Sequence, residues 1–343
     1  MAANPTPRQI VKGLLQGVAP PRALFLPIVF SLGCRVENVS LRAFLGNPTK
    51  ISNSLRRIRS YLRSDELACY FDPYLEVEAL GGTLHWKNED LPPELCWPPH
   101  ANLGQLWHNL RPPEMAAQEG RTPVAVEVIR RLKSMLREEC LLMVGATGPF
   151  TLASSVLGMD RDDVRRSRDF PAPAVEFTAS VTAQISTKFV EAGADLVLVV
   201  EEVLPIVSAQ SCDWWVSLLT PILNVIRFYE VLPILLLTDG RSVAANWEIL
   251  FSQKWECVLC PTIEGLGLGS ATEVPESMAN GMGMAIPLEL FHSHESASGD
   301  LLESIRHVVT KLQPVLLTTA GDVPATADMK RVSTLLGELR RLI

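Results

Sequence analysis

The feature that most constrains the fold of this chain is a recurring pair: a short run apolar at every position, then a longer segment with helical spacing. Leu24–Phe30 is the first such run. Pro48–Arg63 follows, with Ile51, Leu55, Ile58 and Leu62 on one face and Arg56, Arg57, Arg59 and Arg63 on the other, a solvated helix face. A second strand is Leu67–Phe71. Beyond residue 123 the alternation becomes regular: helix Val124–Glu139, strand Leu141–Val144, and helix Pro149–Leu157 entered through Gly148. Helix Val175–Ala192 stops at Gly193, and strand Leu196–Val200 follows. Then come helix Trp214–Tyr229, strand Pro233–Leu237, helix Val243–Phe251, strand Cys257–Cys260 and short strand Gly283–Pro287. Helix Leu301–Leu312, strand Val315–Thr318 and helix Asp328–Leu342 finish the chain. A strand that is apolar throughout is buried on both faces, as in a parallel sheet covered by helices.

The pattern amounts to about eight strand–helix units with no linker, which predicts an α/β fold: one (β/α)8 TIM-type barrel domain over residues 1–343. Pro92–Pro123, rich in proline and carrying Trp97 and Trp107, reads as an irregular insertion in the first third. Barrel chemistry sits at the C-terminal ends of the strands. Those ends are Ser31–Arg35, Asp72, Gly145–Thr147, Glu201 with Glu202, Thr238–Arg241, Pro261–Glu264 and Thr319–Asp322.

Charge narrows the partners. A net charge of −7 argues against nucleic acid or anionic lipid as the main partner, because both require a basic face. Seven cysteines in 343 residues are too few for a disulfide framework. The most apolar windows, Leu24–Phe30 and Val231–Leu237, fall far short of the ~20 residues that cross a bilayer. Met1–Gln16 lacks the pattern of a signal peptide. The expectation is a cytoplasmic protein with free thiols, acting on a small molecule, with a homodimer as one form of assembly.

Among the strand ends, Asp72 in Tyr70-Phe71-Asp72-Pro73 either faces a substrate or caps a helix that starts near Pro73. Glu201 and Glu202, and Asp239 with Arg241, are candidate acid–base or solvated loop groups. With Glu76, Glu78 and Glu264 they make the presumed mouth acidic, which suits a cation, a metal or a neutral ligand better than a polycarboxylate. Cys257 and Cys260, with His292 and His294 downstream, have metal-like spacing, but a regular strand points positions i and i+3 to opposite faces. Core cysteines are the expectation, and no metal site is assigned. Gly265–Gly269 reads as a loop rather than a phosphate cradle.

Several segments, in order, resemble the uroporphyrinogen decarboxylase superfamily, which holds the haem-pathway decarboxylase and corrinoid-linked methyltransferases. They are Arg22–Arg35, Leu41–Pro48, YFDPYLEVEALG (Tyr70–Gly81), GPFTLASSVLG (Gly148–Gly158), FVEAGADLVLVVEE (Phe189–Glu202), PILLLTDGR (Pro233–Arg241) and TTAGDVPATADMKRV (Thr318–Val332). The resemblance implies a TIM barrel. Against the decarboxylase, the catalytic aspartate falls on Asp72 and one of two substrate-holding arginines on Arg35, while its tyrosine falls near Ser155 and its histidine on Gly321. Against the methyltransferases, the three zinc-ligand positions fall on Leu237, Asp239 and Gly321, so a thiol-activating zinc is not expected. VENVSLRAFLGNP (Val36–Pro48) and EVEALG are nearer the methyltransferase branch.

The resemblance therefore implies a methyltransferase that moves a methyl group between a small substrate and a corrinoid carried by a partner protein, with no tightly bound cofactor of its own. Asp72, Asp239 and Glu202 are the expected catalytic groups, and Arg35, Ser155, Arg241 and Gly321 the substrate-binding ones. Uroporphyrinogen decarboxylation, or a non-catalytic barrel that binds a tetrapyrrole or a partner, are the alternatives.

Overall fold

A computed structural model describes residues 5–62, 64–97, 109–137, 139–167, 170–266, 281–292 and 295–343, the side chains of 265, 266 and 295–298 apart. Eight parallel strands carry the fold: β1 (Leu24–Leu26), β2 (Glu66–Tyr70), β3 (Leu141–Thr147), β4 (Leu196–Glu201), β5 (Leu232–Leu237), β6 (Val258–Pro261), β7 (Gly283–Ile286) and β8 (Leu316–Thr319). β2 to β6 pair in sequence order, and β7, β8 and β1 form a second ladder. A bridge between Thr262 and Ala285 joins β6 to β7. At the other seam the Asp65 N–H donates to the Phe25 carbonyl over 3.0 Å. The order 1 to 8 is that of a (β/α)8 barrel.

Nearly every strand residue is buried, so the strands are covered inside and out, as their unbroken apolar runs require. The helices between them bury one stripe each. Pro48–Leu62 packs Ile51, Leu55 and Ile58 inward, while Arg57 and Arg59 pair with Glu37 and Glu139 at the surface. The long helix Ala172–Ala192 stops at Gly193, whose φ of 105° is open to glycine and costly for other residues.

Three elements differ from the sequence reading. The run to Phe30 ends as a strand at Leu26, because Pro27 has no N–H to continue a ladder. The next backbone amides are bonded to side chains instead: Ile28 donates to Thr319 Oγ1 at 2.9 Å, and Phe30 and Ser31 donate to Asp322. The helix expected over Val243–Phe251 is two helices, Gly240–Ala245 and Trp247–Ser252. Asn246 divides them, and its amide bonds Pro205 O and Val207 N of the loop after β4. The stretch read as irregular from Pro92 enters a hairpin, Thr83–His85 antiparallel to Glu94–Cys96. Trp107, also in that stretch, lies outside the described residues.

All seven cysteines are free thiols. Among the described residues no helix is long and apolar enough to cross a membrane.

Candidate functional site

A cavity of about 420 Å³ opens at the C-terminal ends of the strands. Its apolar wall includes Leu41, Leu45, Phe71 and Leu288, and the hairpin loop contributes Asp90, Leu91, Pro92 and Pro93. The charged groups that line it are six carboxylates (Asp72, Asp90, Glu202, Glu264, Glu289 and Asp322) and one guanidinium, Arg161. Arg161 is itself bound to Glu202 at 2.6 Å. Burial, reinforced by the charges of Glu289 and Asp239, raises the Glu264 carboxyl.

Asp72 leaves β2 with both carboxylate oxygens engaged. One accepts from the Tyr74 N–H at 3.0 Å, which shapes the turn ahead of helix Leu75–Ala79. The other forms a buried ion pair with Arg121, whose Nε donates to Glu78 at 2.7 Å. Burial opposes the charge on Arg121, yet Asp72, Tyr70 and Glu78 together hold its pKa above the ordinary arginine value. Arg121 comes from the end of the inserted stretch and precedes helix Thr122–Leu136. No sequence motif marks it, because its partner lies in another element.

Three carboxylates, Glu76, Glu201 and the lining Asp322, stand beneath or beside the mouth with no cation against them among the described residues. Glu76 accepts from the Thr147 N–H and Oγ1 at 2.9 and 2.7 Å. Glu201 accepts from the N–H groups of Phe150 and Thr151 and from Thr151 Oγ1, at 3.0, 2.8 and 2.7 Å. It therefore sits on the N-terminus of helix Pro149–Leu157, where a negative charge is favoured. Gly148 permits this approach, since a Cβ there would lie 2.6 Å from Glu201 Oε1. Asp322 reaches from the end of β8 to the N–H groups of Phe30 and Ser31 at 2.7 and 2.8 Å. Burial pushes all three carboxyls up to about 7, against the pull of the hydrogen bonds they accept.

The remaining expected residues fall in two groups. Glu202 and Gly321 line the cavity, and a Cβ on Gly321 would meet Leu288 at 3.1 Å. Asp239, Arg35, Ser155 and Arg241 are not among the lining residues. Asp239 caps helix Gly240–Ala245 through the Ser242 N–H, and both its oxygens accept from Arg165 at 2.8 Å. Burial raises its carboxyl, but the Arg165 and Ser242 bonds outweigh that and leave it below the usual range. Arg35 donates from Nε to Ala325 O at 2.8 Å, behind the rim. Ser155 donates to Thr151 O at 3.0 Å, and its own carbonyl accepts from Trp97 Nε1. Arg241 is exposed in the first turn of its helix.

Burial pushes the Cys257 thiol up to about 12 and raises that of the buried Cys260 well above the ordinary thiol value. His294 and most of Gly265–Gly269 lie outside the described residues.

Three comparisons bear on what this site belongs to. No curated protein matches the chain. Among solved structures, a methyltransferase from Methanosarcina mazei superposes with a TM-score of 0.73 over 98% of each chain, at 15% identity. A D-allulose 3-epimerase from a Methylomonas species covers 64% of this chain and 93% of its own at 8% identity, and its TM-score of 0.33 is too low to carry an argument. The family model described as uroporphyrinogen decarboxylase (URO-D) matches residues 17–338. With eight parallel strands in barrel order and a cavity at their C-terminal ends, the chain belongs to the uroporphyrinogen decarboxylase family.

Proposed function

We propose that this protein is a methyltransferase that moves a methyl group between a small substrate in the cavity and a corrinoid carried by a partner protein in the cytoplasm. The observation that carries the reading is the charge of the mouth. Among the described lining residues six are carboxylates, and the one cation, Arg161, is bound to Glu202. A substrate with many carboxylates, such as uroporphyrinogen, would find among these lining residues no cation left to pair with it. A neutral or cationic methyl donor needs none. The Methanosarcina methyltransferase shares the fold over its whole length, which is compatible with this assignment.

In this reading Asp72, fixed by Arg121, and Glu202 are the polar groups that face the substrate, and Gly321 leaves room for it. Asp239, Arg35 and Ser155 act through neighbours: they hold the start of a helix, Ala325 and Trp97 respectively. Zinc does not fit. The positions the resemblance reserves for its ligands hold the apolar Leu237, the Asp239 carboxylate already clasped by Arg165, and Gly321 without a donor atom.

The test mixes purified protein with a reduced corrinoid protein and methyl ethers, methyl thioethers or methylated amines. The expected result is the change in cobalamin absorption that accompanies methylation. No change with any donor class, together with decarboxylation of supplied uroporphyrinogen, would overturn the reading.

A further inference from the structure

We propose that Asp322 is the proton donor to the leaving group: it lines the cavity, faces the same space as the ion-paired Asp72, and is held in place by two backbone amides beyond the end of the neighbouring strand β1. This rests on the methyl-transfer reading and names the catalytic group within it.

The two aspartates of the cavity are set up differently. Asp72 has a guanidinium against it. Asp322 has none. Its oxygens accept the amide N–H groups of Phe30 and Ser31, and the Ser31 hydroxyl bonds it as well, which fixes the carboxyl plane but still leaves acceptor capacity for a proton. Burial, with the Asp72 charge adding to it, sets the proton's release near neutrality. Two carboxyls in one cavity, one ion-paired and the other held by amides, assign the acid to Asp322. The other titratable or charged groups facing Asp322 are Asp72 at the end of β2, and Cys34, Arg35 and Asp90, which share one electrostatic environment with it. Glu264 and Glu289 line the same cavity.

The donor class follows from the chemistry. A methyl group on an ether oxygen leaves an alkoxide or phenoxide unless a proton arrives. As the electron pair of the corrinoid acceptor forms the new bond to the methyl carbon, the carbon–oxygen bond breaks with its pair going to oxygen. That oxygen takes the proton of Asp322. The products are the methylated acceptor, the free alcohol or phenol, and an Asp322 carboxylate that regains its proton from solvent. A sulfonium or quaternary ammonium donor departs neutral and needs no proton.

The test compares a methyl aryl ether with trimethylsulfonium as donors for the wild type, Asp322→Asn, Asp322→Glu and Thr319→Val. Thr319 Oγ1 holds the same turn through Ile28 N and Gly321 O, so Thr319→Val loosens the surroundings without removing the acid. The expected loss in Asp322→Asn is about 10²- to 10⁴-fold with the ether and under about tenfold with the sulfonium. Asp322→Glu should keep part of the ether activity, and Thr319→Val should leave the ratio of the two donors unchanged. If Asp322→Asn does not fold, the donor ratio in Asp322→Glu decides. Infrared difference spectra across neutral pH give a readout apart from turnover: a protonated-carboxyl band present in the wild type should weaken in Asp322→Asn, with the contribution of Glu76 and Glu201 left behind. Equal losses on both donors, or an unchanged band, would overturn the role of Asp322 while leaving methyl transfer intact. No transfer from either donor by the wild type would overturn the methyl-transfer reading itself.

Discussion

Asp65 and Asp195 at the strand starts are held differently from Glu76, Glu201 and Asp322 at the mouth, while Glu66, also at a strand start, is buried with no hydrogen-bond partner among the described residues. At the N-terminal ends of the strands, Asp65 takes a bidentate contact from Arg22 at 2.6 and 2.9 Å and one from the Phe25 N–H. Asp195 takes Arg8, Lys133 and the Leu142 N–H. At the mouth, Glu76, Glu201 and Asp322 have hydroxyls and amides but no cation. A carboxylate met by an opposite charge ties strand starts together. Charge held only by dipoles remains poised to take up a proton. The mouth lies at the end where this architecture carries its chemistry.

The largest effect should come from the strand starts. Asp65→Ala leaves Arg22 and the Phe25 N–H without their acceptor and should cost about 3–5 kcal/mol by urea denaturation. The mouth substitution Glu201→Gln should cost less, about 1–3 kcal/mol, since one acceptor oxygen remains. A reversed order would break the comparison.

The pH dependence sharpens it. Glu76, Glu201 and Asp322 titrate near 7 in the folded chain and near ~4 when unfolded, so the native state binds more protons between those values. Their contribution is complete below pH ~4 and is lost progressively as pH rises to about 7, on the order of 4 kcal/mol per group. Chemical denaturation at a series of pH values should show this fall, and Glu201→Gln should flatten it. A slope identical to the wild type would contradict the assignment.

Smaller effects follow. Gly148→Ala drives a methyl against the Glu201 carboxylate and should cost about 1–3 kcal/mol in thermal or urea unfolding. Arg161→Ala should change stability by less than about 1 kcal/mol, because its pair with Glu202 is largely exposed. Its removal leaves only carboxylates lining the cavity, so a quaternary ammonium probe should bind more tightly in calorimetry. Weaker binding would count against an acidic mouth.

The strands were legible in the sequence because burial on both faces leaves no alternative to continuous Leu, Val and Ile, and β4 and β5 match their apolar runs to within one residue at either end. Asp72 and Glu202 were legible as polar residues at strand ends. Arg121 and Asp322 were not singled out, because what gives each its role is a partner distant in sequence: Asp72 for one, Phe30 and Ser31 for the other. Asp239 shows the converse. Its place after β5 drew attention, while Arg165, which occupies both its oxygens, sits in a helix with no pattern connecting the two. Local periodicity reports burial; it does not report pairing between elements.

The Asp72–Arg121 pair has an evolutionary consequence. It ties the point where the chain leaves β2 to the point where it returns ahead of helix Thr122–Leu136. The excursion between them, which supplies the hairpin loop over the cavity, is therefore a closed module with fixed ends. Glu76 and Trp97 within it are bound to Thr147 and Ser155 of the barrel, so the hairpin loop that lines the cavity is its part with most room to vary. New substrate preferences can arise there while the barrel beneath is inherited unchanged.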